Sequence, residues 1–442
     1  MSTSNSSIAS HKPKKRATLR AKAARAPSAS EIARNAGHFE TWRSHQGCEQ
    51  VSYADLPAEL KPDIDQVFNV TSKLPLAWTD KESAEHQALA QYAGSNFLGF
   101  IEKAYQACPG LFGQGSQDEE ADHLTDLYSE LVPICSAWGR LKKMRQSVEK
   151  WSEADFVGNV YNPVRSHAIA ESTHRIHCTI SLPQPIRKVD NDAVRVLNAK
   201  TVIPDCSIFI PAGRIQTLSH SAKAPYKVLQ RHSTVAKSGK ASKQTSFRYQ
   251  ATPCAQLPEA PGFEFVSTIF EDKKPTHQML EDAYRQNRMA TTAASRHLHS
   301  LRIQAPVFGL VWANGTVRAH VDWCKTEEGK RTTVYSAPYP GAAEDSENFH
   351  EWTLDEPSDM LKVYFLVRNI DRWTAGQFCQ RVIDGVRTSV QAVVEEKKEY
   401  KPWKRFGELA VLSDTRKENI AVSISSSSFS SEPKPRSRKH RC

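Results

Sequence analysis

Residues 263–273 read FEFVSTIFEDK. Aromatic and β-branched residues (Phe263, Phe265, Val266, Thr268, Ile269, Phe270) crowd this run, and that composition predicts a strand. The end of the run turns charged. Side chains alternate across a strand, so Glu271 and Lys273 project from one face, while Asp272 and Lys274 face the other. Pro275 stops the strand, and Pro275–Thr276 opens a helix expected over 276–302. Beyond it, VFGLVWA (307–313) and TVRAHVDW (316–323) flank Asn314-Gly315, the dipeptide that favours a type I′ hairpin turn. Further helices are expected near 357–370 and 374–397.

Upstream, His177–Leu182 and Val202–Ile210 are short apolar runs bounded by Pro and polar residues, and both predict strands. Pro204-Asp205 opens the second. A helix is expected from about Ser152 to Glu171, with Ser152 as N-cap and Asp155 at capping-box distance. Pro163 falls inside it and implies a kink or a break. Between Thr217 and Ala260 the chain is rich in Ser, Lys, Gln and Pro and reads mostly as a long loop. Residues 36–150 read as a helical accessory region: Thr79–Ala107 carries Ala and Leu at helical spacing, and Leu124, Leu127, Leu131, Ile134 and Trp138 recur at steps of three and four. The expected organisation is a basic disordered tail over 1–35, the helical region over 36–150, an α/β domain over 151–400, and a Ser-rich, basic disordered tail over 414–442.

The chain has 442 residues, 39% hydrophobic and 24% charged, within the range of soluble globular proteins. Its formal charge of +10 is unevenly spread. Residues 1–35 hold eight Lys/Arg against Glu31, and residues 431–442 hold five against Glu432, so the body between them is close to neutral. A basic surface over the whole body is therefore excluded as the source of the high pI. Lys12-Pro13-Lys14-Lys15-Arg16 reads as a nuclear import signal or a phosphate-binding arm, which points to a nuclear, intracellular protein. The longest apolar run, Ala305–Ala313, is too short to span a bilayer, and the N-terminal residues lack the apolar stretch of a secretory signal. The nine cysteines are scattered without a C-x-x-C pair, as expected of a reducing compartment.

One constellation suggests chemistry. If the strands bearing Asp205 and Glu271 pair, their carboxylates converge. Two hard oxygen ligands, with water and a substrate phosphate, make a Mg²⁺ site. Such an ion polarises a phosphoryl group and acidifies a bound water. Lys273 beside it would orient that water or neutralise charge developing on the phosphate.

Pro204-Asp205 followed by Glu271-Asp272-Lys273 resembles the PD-(D/E)XK nuclease superfamily. WSEADFVGNVYNPV (151–164) is similar to the first helix of the fungal PD-(D/E)XK nuclease-like domains. There an acidic-aromatic helix precedes a strand bearing the Asp, then a polar insertion, then the Glu-x-Lys strand. The Phe308–Trp323 hairpin, with His320, Asp322 and Trp323, fits that family's ending. The resemblance covers about 240 residues. It implies an α/β fold with a restriction-endonuclease-like mixed sheet flanked by helices, and Mg²⁺-dependent phosphodiester hydrolysis of nucleic acid as the ancestral chemistry. It also implies that Asp205 and Glu271 are metal ligands and Lys273 the catalytic lysine. Glu153 on the first helix is a further acid, and Gln278 or Gln286 fills the family's glutamine position on the helix after the lysine. Nuclease folds also survive as catalytically inactive binding modules, so fold alone does not fix activity.

Other groups carry weaker signals. His177, Cys178, Cys206, His220 and Cys254 fit no familiar zinc spacing. His320 and Asp322 share a strand face, where ordinary hydrogen bonding is the simpler reading. Lys223, Lys227, Arg231, Lys237, Lys240 and Lys243 form a basic loop, equally compatible with holding a phosphate backbone or with solvation. Trp138, Trp312, Trp323 and Trp373 read as core residues rather than stacking platforms.

Overall fold

In a computed structural model of the protein, described for residues 25–114, 121–232, 247–257, 259–273, 280–313, 315–326, 331–340, 349–404 and 409, the strand expected at 263–273 runs over Val266–Asp272, and every residue of it is buried. It lies inside an eight-stranded sheet. In chain order the strands are β1 (Cys48–Gln50), β2 (Thr173–Ile176), β3 (Cys206–Phe209), β4 (Val266–Asp272), β5 (Val307–Ala313), β6 (Thr316–Thr326), β7 (Thr332–Pro338) and β8 (Trp352–Thr353). Across the sheet the order is β1-β7-β6-β5-β4-β3-β2, with β8 pairing β6. The β4/β5 and β1/β7 pairs are parallel and the rest antiparallel. The protein is thus a mixed α/β protein.

The helices include α1 (Ala29–Arg34), α2 (Ala121–Gln146), α3 (Leu280–Ser300) and α4 (Pro357–Trp373), of which α1 and α3 contribute to the site. A parallel β4/β5 pair needs a crossover connection, and α3 supplies it. Successive residues of β5 show both sheet faces covered. Phe308 meets Trp373 of α4 edge-on at 5.1 Å, whereas Gly309 faces Asn287 of α3. Burial on both faces explains why β4 and β5 read as nearly continuous apolar runs rather than alternating ones. At Gly309 a Cβ would stand 2.0 Å from His320 Nε2 and 2.4 Å from Asn287 Oδ1, so only glycine lets α3 approach.

The hairpin forms as expected: β5 and β6 pair from Thr316↔Ala313 to Asp322↔Val307, and Gly315 takes φ +71°. Asn314 lies outside the described residues. The Ser152–Asp155 capping box is present. Pro163 breaks the regular helix: Glu153–Phe156 passes into a π-helical turn over Val157–Tyr161, then α-helix resumes at Asn162–Ala168, with the proline in its first turn, where its missing N–H matters least.

Several expectations are corrected. Residues 29–34, read as part of a disordered tail, form α1. Ser28 and Glu31 make a capping box, and Ile32 is fully buried; α1 packs on α3. Residues 36–150 are not wholly helical, because Cys48–Gln50 adds a parallel edge strand to β7. Gly47, with φ +64°, ends the helix before it and turns the chain into that strand. Most buried apolar residues from Ala29 to Trp403 belong to one core, beside a small second cluster of Ala283, Tyr284, Val311 and Ala313. The segment read as a loop from Thr217 contains a helix at Pro225–Arg231 that buries Tyr226 and Leu229, and Phe247 and Cys254 are buried beyond it. These apolar side chains are few but enough to anchor the segment, and Ser/Lys content masked them. The strand expected at His177–Leu182 falls earlier, at Thr173–Ile176, with a two-residue strand at Ile180–Ser181. Residues 1–24 and 410–442 lie outside the described residues. Among the described residues no helix is long and apolar enough to cross a membrane.

Candidate functional site

Asp205 sits just before β3, which pairs antiparallel with β4 through Cys206↔Phe270. Its N–H donates to the Phe270 carbonyl at 3.2 Å, and its carboxylate Oδ2 accepts the Asp272 N–H at 2.7 Å. The ladder itself therefore brings Asp205 level with the Glu271–Lys273 end of β4. Lys273 continues the parallel ladder on the other side, donating its N–H to the Trp312 carbonyl at 2.7 Å. Its own carbonyl accepts the Tyr161 hydroxyl at 3.1 Å, which ties the π-turn to this strand end. Lys273 Nζ donates to Glu271 Oε1 and to the Asp272 carbonyl (2.9 Å).

The two faces of this strand end divide the charges. Asp272 turns away and is clamped by Arg165, whose guanidinium donates to both carboxylate oxygens at 2.9 and 2.7 Å. That pair is buried, and the guanidinium lies over Phe270 and Trp312. Asp272 is thus a structural ion-pair partner. Glu271 and Lys273 face a cleft of about 270 Å³ that also holds Asp205, Glu153 and Gln286. Glu271 is 1% exposed, and its Oε2 is buried with no hydrogen-bond partner. Gln278 lies outside the described residues. Arg34 and Ser30 of α1 and Asp282 of α3 complete the cleft, and none was expected from the sequence. The Ser28–Glu31 capping box before Ile32 was the available signal for α1; nothing local marked Asp282.

The electrostatics follow from burial. Burial pushes the Asp205 carboxyl up to about 6, and the nearby Asp272 charge adds to it, against the Asp272 N–H and Lys273. Burial likewise raises Glu271 well above the usual carboxylate range; the Lys273 charge opposes this and Asp205 reinforces it. Burial works against the Lys273 ammonium, but the Glu271 carboxylate outweighs it and the amine is raised. Lys273 and Arg34 thus share the cleft with four acids, Glu153, Asp205, Glu271 and Asp282, and acids outnumber bases there.

A divalent cation fits this donor set. Glu271 Oε2 is an orphaned buried oxygen, and Asp205 Oδ1, which is not the oxygen held by the Asp272 N–H, has His177 Nδ1 at 3.8 Å. Among the described residues no three His, Cys, Asp or Glu side chains form a metal-holding group. Mg²⁺ is commonly held by one or two carboxylates, its remaining positions going to water and phosphate oxygens.

The other sequence candidates sort out plainly. His320 Nδ1 lies 2.8 Å from Asp322 Oδ1, His320 Nε2 lies 2.8 Å from Asn287 Oδ1, and Thr291 donates to Asp322 at 2.5 Å. His320 and Asp322 are fully buried and tie β6 to α3 without lining the cleft. The five residues weighed for zinc make no metal-holding group among the described residues, but Cys178 and Cys254 do meet, with their sulfurs 3.3 Å apart. Lys237, Lys240 and Lys243 lie outside the described residues. Trp312, Trp323 and Trp373 are core residues. Trp138 is half-buried between Lys103 and Lys142, at 5.5 and 5.4 Å, beside a larger cavity of about 630 Å³. Size does not make that cavity the site: Arg145 there is paired with Asp355 at 2.8 Å, and no buried acid opens into it.

No family model and no curated protein matches this chain.

Proposed function

We propose that the chain is a restriction-endonuclease-like protein whose cleft hydrolyses phosphodiester bonds of nucleic acid with Mg²⁺. The observation that carries this reading is the meeting of Asp205, Glu271 and Lys273 in one cleft, with Glu271 Oε2 buried and unpartnered. Asp205 and Glu271 would hold the ion, and bound there it would polarise the phosphoryl group and acidify a water. Lys273, whose ammonium donates to Glu271 and the Asp272 carbonyl, would turn it to charge developing on a phosphate. Gln286 and Glu153, which also line the cleft, would orient water there. The β4–α3–β5 crossover, with β3 antiparallel on the far side of β4, supports the fold half of the reading. The basic segment Lys12–Arg16 would direct the protein to the nucleus and add phosphate contacts.

The test is Mg²⁺- or Mn²⁺-dependent cleavage of single- and double-stranded DNA and RNA by the full chain, with Glu271→Ala and Lys273→Ala. Cleavage by the wild type, reduced at least about 100-fold in both variants, is the expected result. Cleavage that persists unchanged in both removes the proposed site. A second reading, a nuclease fold kept as a nucleic-acid-binding module, is favoured by one observation: Lys273 already closes onto Glu271, which is 1% exposed. Metal-independent binding without any cleavage would decide for it.

A further inference from the structure

We propose that Cys178 and Cys254 form a site of oxidative modification, a dithiol that a hydroperoxide converts to an intramolecular disulfide. The two sulfurs are 3.3 Å apart although the residues are 76 positions apart in the chain. The backbone around them is already paired. Ile180 bridges Cys254, the Ala255 N–H donates to the Thr179 carbonyl at 2.8 Å, and the Ser181 N–H donates to the Pro253 carbonyl at 2.9 Å. Closing the bond therefore requires little rearrangement of the chain.

The roles of the two thiols differ by exposure. Cys178 is half-buried and can meet a small oxidant, whereas Cys254 is 2% exposed. Cations flank the pair: an Arg175 guanidinium nitrogen lies 4.0 Å from Cys254 Sγ, while Arg175 also pairs with Glu264 at 2.7 Å, and buried Lys404 donates to the Cys254 carbonyl at 2.6 Å. Positive charge beside a partly exposed thiol favours its thiolate, the reactive form. The Cys178 thiol is lowered, by the Cys254 hydrogen bond first and by Arg175, against burial, while Cys254 is raised by its partner and by burial.

The chemistry balances. The Cys178 thiolate sulfur bonds to one peroxide oxygen as the O–O bond breaks, and the leaving alkoxide or hydroxide takes a proton. The Cys254 sulfur then bonds to the resulting sulfenic sulfur as its S–O bond breaks, and the thiol proton departs with the hydroxide as water. Two thiols lose two electrons to one hydroperoxide. The bond would also fix the neighbour of His177, whose N–H donates to the Asp205 carbonyl at 3.0 Å. This proposal does not depend on the nuclease reading.

The full chain is treated with stoichiometric hydrogen peroxide, denatured, alkylated and mapped by mass spectrometry. A peptide linking Cys178 to Cys254, lighter by ~2 Da than its parts and restored by dithiothreitol, is expected. In Cys254→Ser the Cys178 sulfenic acid should persist and be trapped by dimedone. Should both cysteines remain alkylatable once other thiols have been oxidised, or either pair with a different cysteine, the proposal is overturned. The wild-type map decides even if Cys254→Ser fails to fold.

Discussion

The backbone N–H of Asp272 donates to the carboxylate of Asp205 at 2.7 Å, while the Asp272 side chain points the other way into Arg165. One residue thus anchors the cleft acid through its backbone and is itself anchored through its side chain.

Arg165 should therefore matter for stability more than its distance in sequence suggests. Removing one member of a buried ion pair leaves the other charge uncompensated, which costs about 3–5 kcal/mol. Arg165→Met is expected to lower the unfolding free energy by that amount in urea titration. A loss below about 1 kcal/mol would mean that the pair is not buried as described.

The cleft acids set a pH dependence of definite sign. Asp205 titrates at about 6 rather than its ordinary 3.8, so the native state holds a proton that the unfolded chain gives up. Its stabilising contribution is complete below about pH 4 and is lost as pH rises through about 6, up to about 3 kcal/mol. Glu271, also raised, acts in the same direction. Relative to Asp205→Asn, the wild type should become less stable across this window in metal-free buffer, measured by thermal or urea unfolding. If the cleft takes the proposed cation, the ion would displace those protons, and Mn²⁺ affinity by calorimetry should rise over the same window. A pH-independent affinity would contradict this linkage.

Gly309 leaves no room for a side chain between His320 and Asn287. Gly309→Ala would push α3 from the sheet or break the His320 hydrogen bonds, at about 2–4 kcal/mol. Denaturant unfolding showing less than about 1 kcal/mol of loss would show that the helix yields freely.

Truncation separates the described N-terminal helix from what precedes it. Removing residues 1–35 deletes buried Ile32 and the α1 wall of the cleft and should lower the melting temperature by at least about 3 °C more than removing residues 1–24. Equal melting temperatures for the two truncations would show that α1 contributes nothing to the fold.

Much of the local structure could be read directly from sequence. The aromatic and β-branched run before Glu271 predicted β4, the Asn-Gly step predicted the β5/β6 hairpin, and the capping box at Ser152 predicted the helix start. Each signal acts within a few residues, through strand alternation, turn conformation or a side-chain cap. Local signals also failed in an intelligible way. Cys48–Gln50 carries no apolar alternation, because an edge strand of three residues is held by the β7 backbone rather than by its own side chains. Likewise α1 is six residues long and owes its place to burial against α3.

By itself, then, the chain determined that Glu271 and Lys273 share one strand face and that Asp272 takes the opposite one, since alternation is a property of any extended backbone. That Asp205 joins them, that Arg165 neutralises Asp272, and that Arg34 and Asp282 complete the cleft were decided only in three dimensions. These contacts span 67 and 107 residues in the cases of Asp205–Asp272 and Arg165–Asp272. At such separations strand register and helix docking are chosen by the burial of the entire core, which no short stretch of residues encodes.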